Sequence, residues 1–449
     1  MRILYNILLL IFFHLVCLNV ALSRVNQYNF VSNDTININD LGVNGDEEKN
    51  DTYIIQKAIN KYKTVYLPKG KYLVSSLALK QGTTLVGDGI DKTFIIAINN
   101  DSIAFKYSHG IITLDNEAFS DISISGLTID GNKKNQKGSE NENWEPYGYF
   151  DGIRIGKVNN QVHFIKLNNI DVLNCPGSGI TAQWCDSLFI ENIITHNNAT
   201  FGIFLSGKKG QEISNSILRY IRTYDNTSYN KYIAYDGILG IYCQHCVFDS
   251  IFAYGTSDTS LYNGFSGLKF VNSSYNKFSN VICNKNQWSG LHISGDVGGK
   301  SIGNRFYNCV FKNNIKTKSG AGNGVLITGE SDSTLFNNCI FENNERASVW
   351  LNSSFVENTV FNRCKFIKEN MFDENASSTI LDSCKFDSCF NGIRAGALGP
   401  SKSFECKNSV FNGIKNCAFI LNQGSKHDID LFLNLNLFLG VNQKIKIIN

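Results

Sequence analysis

The sequence predicts an all-β solenoid, a right-handed parallel β-helix with a short N-terminal capping helix. Short strands of alternating apolar and polar residues recur through most of the 449-residue chain, at steps of about 20–30 residues. Cysteine and phenylalanine recur two residues apart, as Cys309/Phe311, Cys339/Phe341, Cys364/Phe366 and Cys384/Phe386. No segment between these strands has the length or periodicity of a helix, and this arrangement is typical of stacked coils.

The Cys/Phe position continues toward the N-terminus with other residues in the cysteine place. The equivalent pairs are Leu127/Ile129, Ile170/Val172, Ile193/Thr195, Ile221/Thr223, Ile251/Ala253 and Val281/Cys283, with Ser409/Phe411 near the C-terminus. Equivalent residues of neighbouring coils stack about 4.8 Å apart. Exchange of Cys with Leu, Ile and Val therefore predicts a buried interior column of free thiols.

Two other roles for the cysteines are weighed against the column. Disulfides between neighbouring coils remain an alternative in an exported chain. A metal site is disfavoured, because Cys243 and Cys246 have no second cysteine pair to complete a ligand set.

The N-terminal segment has the pattern of a signal peptide. Arg2 precedes an apolar run that ends at the small residues around Ala21 and Ser23. We expect a secreted, periplasmic or cell-surface protein without a membrane span after cleavage. The predicted organisation is a signal peptide at 1–23, a cap with the first coils at 24–98, the β-helix at 99–424 and capping strands at 425–449.

Composition limits the function classes. The 43% of apolar residues is enough for a large core, and the net charge of +3 without basic runs gives no argument for nucleic acid binding. No cofactor is indicated with certainty, and a requirement for Ca²⁺ is left open. The oligomeric state is also left open.

Residues 40–95, which begin DLGVNGDEEKNDTYIIQKAINK, resemble the opening of the pectate-lyase-like superfamily, which contains rhamnogalacturonase-like proteins, tailspike depolymerases and mannuronan C5-epimerases. The segment GLTIDGNKKN at 126–135 has the same likeness. Independently, Asn50 or Asp51 can cap a helix that covers the open end of the solenoid. Its apolar face is predicted to contain Ile54, Ile55, Ala58, Ile59 and Tyr62.

The resemblance implies a polysaccharide groove on one face of the β-helix, but it does not supply the chemistry. In the epimerases the strand corresponding to PGSGITAQ carries Tyr, Asp and His, whereas this chain has Ser178, Thr181 and Gln183. The polygalacturonase residues are absent as a set, with only Arg394 as a fragment. The site is therefore predicted from the residues themselves.

A second strand in each coil begins with a glycine and an apolar residue, and its alternation separates two faces. The expected inward residues are Ile153, Ile155, Ile180, Ile203, Ile241, Leu268 and Leu291. The expected outward residues are Arg154, Thr181, Gln183, Phe204, Ser206, Tyr242, Gln244, Lys269, His292 and Ser294. Gln183 and Gln244 are candidate substrate-binding residues on this outward face.

Three outward residues suggest lyase chemistry. Tyr242, Lys269 and His292 are expected on consecutive strands, about 5 Å apart. A polysaccharide lyase needs a base beside a uronate carboxylate, a cation and a proton donor. His292 or Lys269 is the candidate base. Tyr242 or Tyr235 is the candidate proton donor, and Arg154 is a more distant carboxylate-binding group.

Long loops at 132–150, 225–236 and 255–265 carry many aromatic residues, which suit stacking on sugar rings. They are Trp144, Tyr147, Tyr149, Phe150, Tyr229, Tyr232, Tyr235, Tyr262 and Phe265, of which Trp144, Tyr147, Tyr149 and Tyr232 are the candidate substrate-binding residues. The alternative is that these rings pack on one another and on the solenoid wall.

We therefore expect a polysaccharide partner and favour a lyase that cleaves a uronate-containing glycan by β-elimination. A glycoside hydrolase is the first alternative, with Asp225 and Asp258 on adjacent turns as its carboxylate pair. Asp151 and Asp236 are three coil steps apart, about 14–15 Å, too far for either hydrolytic geometry. The second alternative is a non-catalytic carbohydrate-binding or adhesion protein.

Overall fold

The computed structural model describes residues 34–100, 109–114, 120–136, 150–156, 161–226, 236–255, 266–296, 298–316, 321–396, 403–422 and 433–448. The predicted signal peptide lies outside these residues. No helix in the described ranges is long and apolar enough to span a bilayer.

Parallel strands form two long sheets and one short sheet. The front sheet contains Leu77–Leu79, Gly110–Leu114, Asp151–Ile155, Ile180–Gln183, Ile203–Ser206, Ile238–Ile241, Leu268–Val271, Ser289–Gly295, Asn323–Gly329, Ala347–Leu351, Phe372–Glu374, Ile393–Ala395, Cys417–Asn422 and Gln443–Ile448. The side sheet contains Ser301–Ile302, Ser331–Asp332 and Val356–Glu357.

The back sheet is the largest and supplies the remaining strands of each coil. It contains Thr35–Asn37, Asp46–Asn50, Thr64–Leu67, Gly70–Val74, Thr84–Gly87, Thr93–Ala97, Ser120–Asp130, Val162–Leu173, Cys185–His196, Ile213–Ser214, Ile217–Tyr224, Cys243–Gln244, Val247–Tyr254, Lys277–Ser279, Ile282–Asn284, Arg305–Tyr307, Val310–Lys312, Leu335–Asn337, Ile340–Glu342, Thr359–Asn362, Lys365–Ile367, Ser378–Asp382, Lys385–Asp387, Ser403–Lys407, Val410–Asn412 and Leu437–Leu439. This arrangement is the predicted parallel β-helix.

The α-helix α1 (Thr52–Lys61) covers the N-terminal end of the solenoid as predicted. Ile55, Ala58 and Ile59 are buried against the core. Gln56 hydrogen-bonds both backbone groups of Ala78, donating from Nε2 at 2.9 Å and accepting at Oε1 at 2.8 Å. The helix thus satisfies backbone groups that an end strand would otherwise leave unpaired.

The interior is built from columns with one residue per coil. Phe248, Phe278, Phe306, Phe336 and Phe361 form a continuous stack with ring centroids 4.4–4.9 Å apart. The second column runs through the phenylalanines of the Cys/Phe pairs, in the predicted register. All the cysteines of the described residues are buried and unpaired, as the exchange with Leu, Ile and Val predicted.

Asparagine side chains form a buried ladder at one corner of the coils. Nδ2 of Asn286 donates to Asn314 at 3.1 Å, and Nδ2 of Asn314 donates to Asn344 at 2.7 Å. The next rung is Glu369, whose Oε1 accepts from Asn344 Nδ2 at 2.6 Å. Burial raises the pKa of Glu369 to about 8, because the charged form is disfavoured away from water.

The alternation in one coil differs from the prediction. Ile238, not Ile241, aligns with Ile203 and Leu268 and is buried, whereas Ile241 aligns with Ser206 and is half-buried. Both Gly237-Ile238 and Gly240-Ile241 fit the glycine-led pattern, and the pattern alone does not separate them. The prediction that Ile241 lies inside is therefore wrong by three residues.

Candidate functional site

One row of outward positions runs along ten consecutive strands of the front sheet, with one residue on each strand. We call it the outward row. Cross-strand register connects Arg154, Thr181, Phe204, Leu239, Lys269, His292, Leu326, Trp350, Asp373 and Arg394. Adjacent members are separated by one strand spacing, about 4.8 Å.

Lys269 and His292 are neighbours at the middle of this row. Both are half-buried, and they lie between Leu239 and Leu326, which are 8% and 2% exposed. Nε2 of His292 is 3.0 Å from Oγ1 of Thr328. Burial, and then the charge of Lys269, lower the pKa of His292 to about 3. The imidazole is therefore neutral near pH 7 beside a lysine side chain.

Asp236 is a buried carboxyl group close to this pair. It is 1% exposed, and its Oδ1 accepts a hydrogen bond from the Ser266 backbone N–H at 2.7 Å. Burial raises the pKa of Asp236 to about 7, against the attraction of Lys269, which lowers it. Asp236 thus places a titratable acid behind Lys269, where it can orient the lysine but does not face solvent.

Arg154 occupies the same row four strands before Lys269, about 19 Å away. Its Nη1 is 2.8 Å from Oδ2 of fully buried Asp151, and its Nη2 is 3.4 Å from Oε1 of Gln183. Burial raises the pKa of Asp151 to about 6, although Arg154 opposes this shift. Arg154 and Gln183 are therefore neighbours, and their predicted role in substrate binding stays a prediction.

A second cluster lies beyond His292 and was not predicted. The guanidinium carbon of Arg346 is 3.3 Å from the centroid of the Trp350 ring. Nε of Arg394 is 3.1 Å from Oδ1 of Asp373, which is 2% exposed. The strand Ala347–Leu351 has Ser348 where other strands have glycine, so the glycine-led pattern did not include it. Its alternation was the signal that could have found Trp350.

Tyr242 and Gln244 do not lie beside Lys269. Tyr242 follows the strand Ile238–Ile241 in a turn with φ of 50°, and Leu239 takes the position opposite Lys269. The expected arrangement of Tyr242 next to Lys269 is wrong, because it depended on the register that placed Ile241 inside. Tyr242 and Gln244 instead line a separate surface pocket of about 460 Å³ together with Asn272, Lys300 and Glu330.

Several predicted residues lie outside the described residues and stay predictions, namely Trp144, Tyr147, Tyr149, Tyr232, Tyr235 and Asp258. Asp225 follows the strand Ile217–Tyr224 with φ of 52°, but the structure does not test its pairing with Asp258. Phe150, predicted among the loop aromatics, is fully buried. Within the described ranges, no group of three or more His, Cys, Asp or Glu side chains could hold a metal ion.

Comparisons with known proteins agree with this fold. Residues 35–145 match the family described as rhamnogalacturonase A/epimerase, pectate lyase-like. A 195-residue region is 28% identical to "Alginate lyase 7" of Azotobacter vinelandii and covers 40% of this chain. The match spans only 22% of that relative's length.

Solved structures extend the likeness to most of the chain, at identities that show the fold alone. The A-module of mannuronan C-5 epimerase AlgE6 from Azotobacter vinelandii has a TM-score of 0.52 and 16% identity, covering 92% of this chain and 96% of that one. The catalytic domain of a GH87 alpha-1,3-glucanase has a TM-score of 0.57 and 14% identity, covering 85% and 70%. Residues 35–145 therefore resemble the rhamnogalacturonase A/epimerase, pectate lyase-like family, and the described coils share the parallel β-helix fold of these solved structures.

Proposed function

We propose that this protein is an exported polysaccharide lyase that cleaves a uronate-containing glycan on the outward row. The observation that carries the proposal is the direct cross-strand pairing of Lys269 with His292. A cation and a neutral imidazole meet there, both half-buried, with buried leucines on both sides. The alginate lyase and mannuronan epimerase names among the similar proteins support a polyuronate as the substrate class.

The proposed reaction is β-elimination. His292 takes the proton from the carbon beside the uronate carboxylate, and the ammonium of Lys269 stabilises the negative charge that develops on that carboxylate. The electron pair of the broken C–H bond forms a carbon–carbon double bond while the neighbouring C–O bond breaks. If the Nε2–H group of His292 donates the hydrogen bond to Oγ1 of Thr328, Nδ1 keeps the lone pair that proton abstraction requires.

The leaving oxygen needs a proton, and the structure changes the choice of donor. Tyr242 is separated from the Lys269–His292 pair by the corrected register, so Tyr235 is the remaining candidate from the sequence. Asp236 is assigned a positioning role, because its carboxyl group is buried and attracts the charge of Lys269.

Hydrolysis has less support among the described carboxylates of the front sheet. Asp151 is held by Arg154 and Asp373 is held by Arg394. Asp236 is three strands from Asp151 and five strands from Asp373, so each separation exceeds the 6.5–9.5 Å of an inverting pair. The pair Asp225 and Asp258 is the hydrolase alternative that remains a proposal.

Trp350 supports a glycan along the same row. It lies two strands from His292, about 10 Å, and offers an aromatic surface next to the guanidinium of Arg346. Aromatic rings beside cations suit acidic sugars, since the ring contacts the apolar sugar face and the cation contacts the carboxylate. The same features would serve a non-catalytic adhesion protein, so only turnover separates the two functions.

The test is incubation of the full chain with polymannuronate, polyguluronate and polygalacturonate. Appearance of the unsaturated uronate product, followed by its ultraviolet absorbance, is the expected result. New reducing ends without unsaturation would favour the hydrolase. Binding of these polymers without any bond cleavage would favour the adhesion protein, and inversion at C5 without cleavage would favour an epimerase.

A further inference from the structure

A basic and aromatic pocket lies on the back sheet, away from the outward row. Its volume is about 520 Å³. The strands Lys277–Ser279 and Arg305–Tyr307 form part of its wall, and Tyr275 and Gly303 precede them. Lys269 and His292 are on the front sheet, so the pocket is separate from the proposed catalytic pair.

The aromatic part of the pocket is an exposed ring with one covered face. Tyr275 is 54% exposed, and it stacks on His245 of the preceding coil at 5.3 Å between centroids and 9° between planes. In the next coil the corresponding position is Gly303, where a Cβ atom would lie 2.7 Å from Cδ1 of Tyr275. Because Gly303 has no side chain, its backbone can lie close to the edge of the Tyr275 ring, and the part of the ring that stays exposed borders the pocket.

The charged part of the pocket is a pair of cations. Lys277 and Arg305 are direct cross-strand partners, and both are exposed. Like charges directly opposite each other destabilise a sheet. Among the described residues neither side chain forms an ion pair. The nearby carboxylate of Asp249 attracts Lys277 only at longer range, and it accepts hydrogen bonds from the side chains of Ser279 and Asn280, at 2.6 and 2.9 Å.

Another basic pair on the same sheet shows how the chain compensates such repulsion elsewhere. Lys365 and Lys385 are also direct cross-strand partners. There, Nζ of Lys385 is 2.9 Å from Oδ2 of Asp387. The pair in the pocket has no carboxylate of the described residues in direct ion-pair contact, and an anionic ligand would supply one.

We propose that this pocket binds an acidic sugar unit of a polysaccharide and anchors the polymer outside the catalytic row. The sugar ring packs against the exposed part of the Tyr275 ring, and its carboxylate lies between Lys277 and Arg305. Arginine binds a carboxylate through two parallel hydrogen bonds, which fixes the orientation of the sugar. The choice of an acidic sugar rests on the proposed function, whereas the existence of an anion site rests on the pocket alone.

The test is affinity electrophoresis of the full chain in gels that contain each polyuronate. The double variant Tyr275→Ala/Arg305→Ala should bind the polymer about tenfold more weakly, since it loses a stacking surface and a charge-assisted contact. The matched control is Lys365→Ala, which removes one exposed cation of the same sheet outside the pocket and should bind as the unmodified chain does. Equal retardation of the double variant and the unmodified chain would overturn the proposal, as would the absence of retardation in every polyuronate.

Two further measurements separate this proposal from the proposed function. Lys269→Ala should lose turnover but should still be retarded by the polymer in the gel. The double variant Tyr275→Ala/Arg305→Ala, called the pocket variant, should keep turnover of short oligouronates. If no polyuronate is cleaved but the pocket variant alone loses retardation, the lyase fails and the anchoring site stands. Binding of single-stranded DNA is measured for the same double variant. If it loses DNA binding as strongly as polyuronate binding, the pocket binds polyanions in general, and this result would contradict a sugar site.

Discussion

Lys269 and His292 are direct partners on neighbouring parallel strands, and no residue of another coil lies between them in the outward row. The side chain of His292 is fixed by a hydrogen bond of 3.0 Å to Oγ1 of Thr328. Buried leucines on either side of the pair strengthen its electrostatic interactions, because they exclude water. This geometry is the basis of the proposed proton abstraction.

The charge of Lys269 is predicted to lower the pKa of His292 measurably. Replacement Lys269→Met removes the repulsion between two cations, so the pKa of the imidazole should rise. It should stay below the usual 6.5, because burial is the larger cause and is unchanged. Titration of the His292 ring signals by NMR measures this shift. An unchanged pKa would show that the two side chains do not interact.

Glu369 is predicted to make stability depend on pH. Its pKa is raised from 4.5 to about 8 in the folded chain, so the folded state holds a proton that the unfolded state releases. Stability should be complete below about pH 4.5 and fall as the pH rises to about 8. Glu369→Gln can still accept from Asn344, so the part of the fall that Glu369 causes should disappear, and the variant should be more stable by a few kcal/mol at about pH 8. Asp151 and Asp236, whose pKa values burial also raises, should leave a smaller fall below about pH 7.

Urea unfolding of both proteins at several pH values checks this prediction. Asp387→Asn is the control, because Asp387 is a partly exposed carboxylate whose pKa is lowered by Lys385. The control should keep the fall in stability that Glu369 causes. The same fall in Glu369→Gln would contradict the assigned role of Glu369.

The phenylalanine stack is predicted to be a major source of stability. Phe336 is completely buried, and its ring stacks on Phe306 at 4.7 Å and on Phe361 at 4.9 Å. Phe336→Ala should lower the free energy of unfolding by about 3–5 kcal/mol, because it leaves a cavity in the column. Phe355, which is 66% exposed, is the control, and Phe355→Ala should change it by less than about 0.5 kcal/mol. Equal effects in denaturant unfolding would contradict the stack.

Trp350 is predicted to bind the substrate without taking part in the chemical step. Trp350→Ala should raise KM about tenfold and change kcat little, since it removes a stacking surface two strands from His292. Tyr220→Ala is the control, because Tyr220 is 54% exposed on the back sheet. Steady-state kinetics on a long polyuronate measures KM and kcat separately. A loss in kcat with unchanged KM would place Trp350 in the reaction and contradict this role.

Much of the fold could be predicted because each coil repeats the same buried positions. The Cys/Phe pairs, the glycine-led strands and α1 all follow from alternation and spacing. The coil at Ile238 was misaligned because Gly237 and Gly240 are each followed by isoleucine, and only cross-strand register decides between them. That error of three residues moved Tyr242 into the predicted site.

The site could be predicted only in part, because side chains from distant coils form it. Lys269 and His292 were predicted to be neighbours because both follow a glycine-led signal, and the cross-strand register confirms that they are adjacent. Trp350 was missed because Ser348 replaces the glycine, and Asp236 could not be assigned as a buried neighbour of Lys269 from spacing alone. The pocket at Tyr275 was not predicted, because one of its wall residues is Gly303 of the next coil. The position of this glycine opposite Tyr275 becomes evident only when the coils are aligned.

The most direct measurement of the central claim is the rate of unsaturated uronate formation by four proteins. These are the unmodified chain, Lys269→Ala, His292→Ala and the control Lys166→Ala, which removes an exposed lysine of the back sheet. We predict a loss of about a hundredfold or more in each of the two site variants, with circular dichroism and unfolding close to those of the unmodified chain. The control should keep full activity. Full activity in Lys269→Ala and His292→Ala would contradict the account.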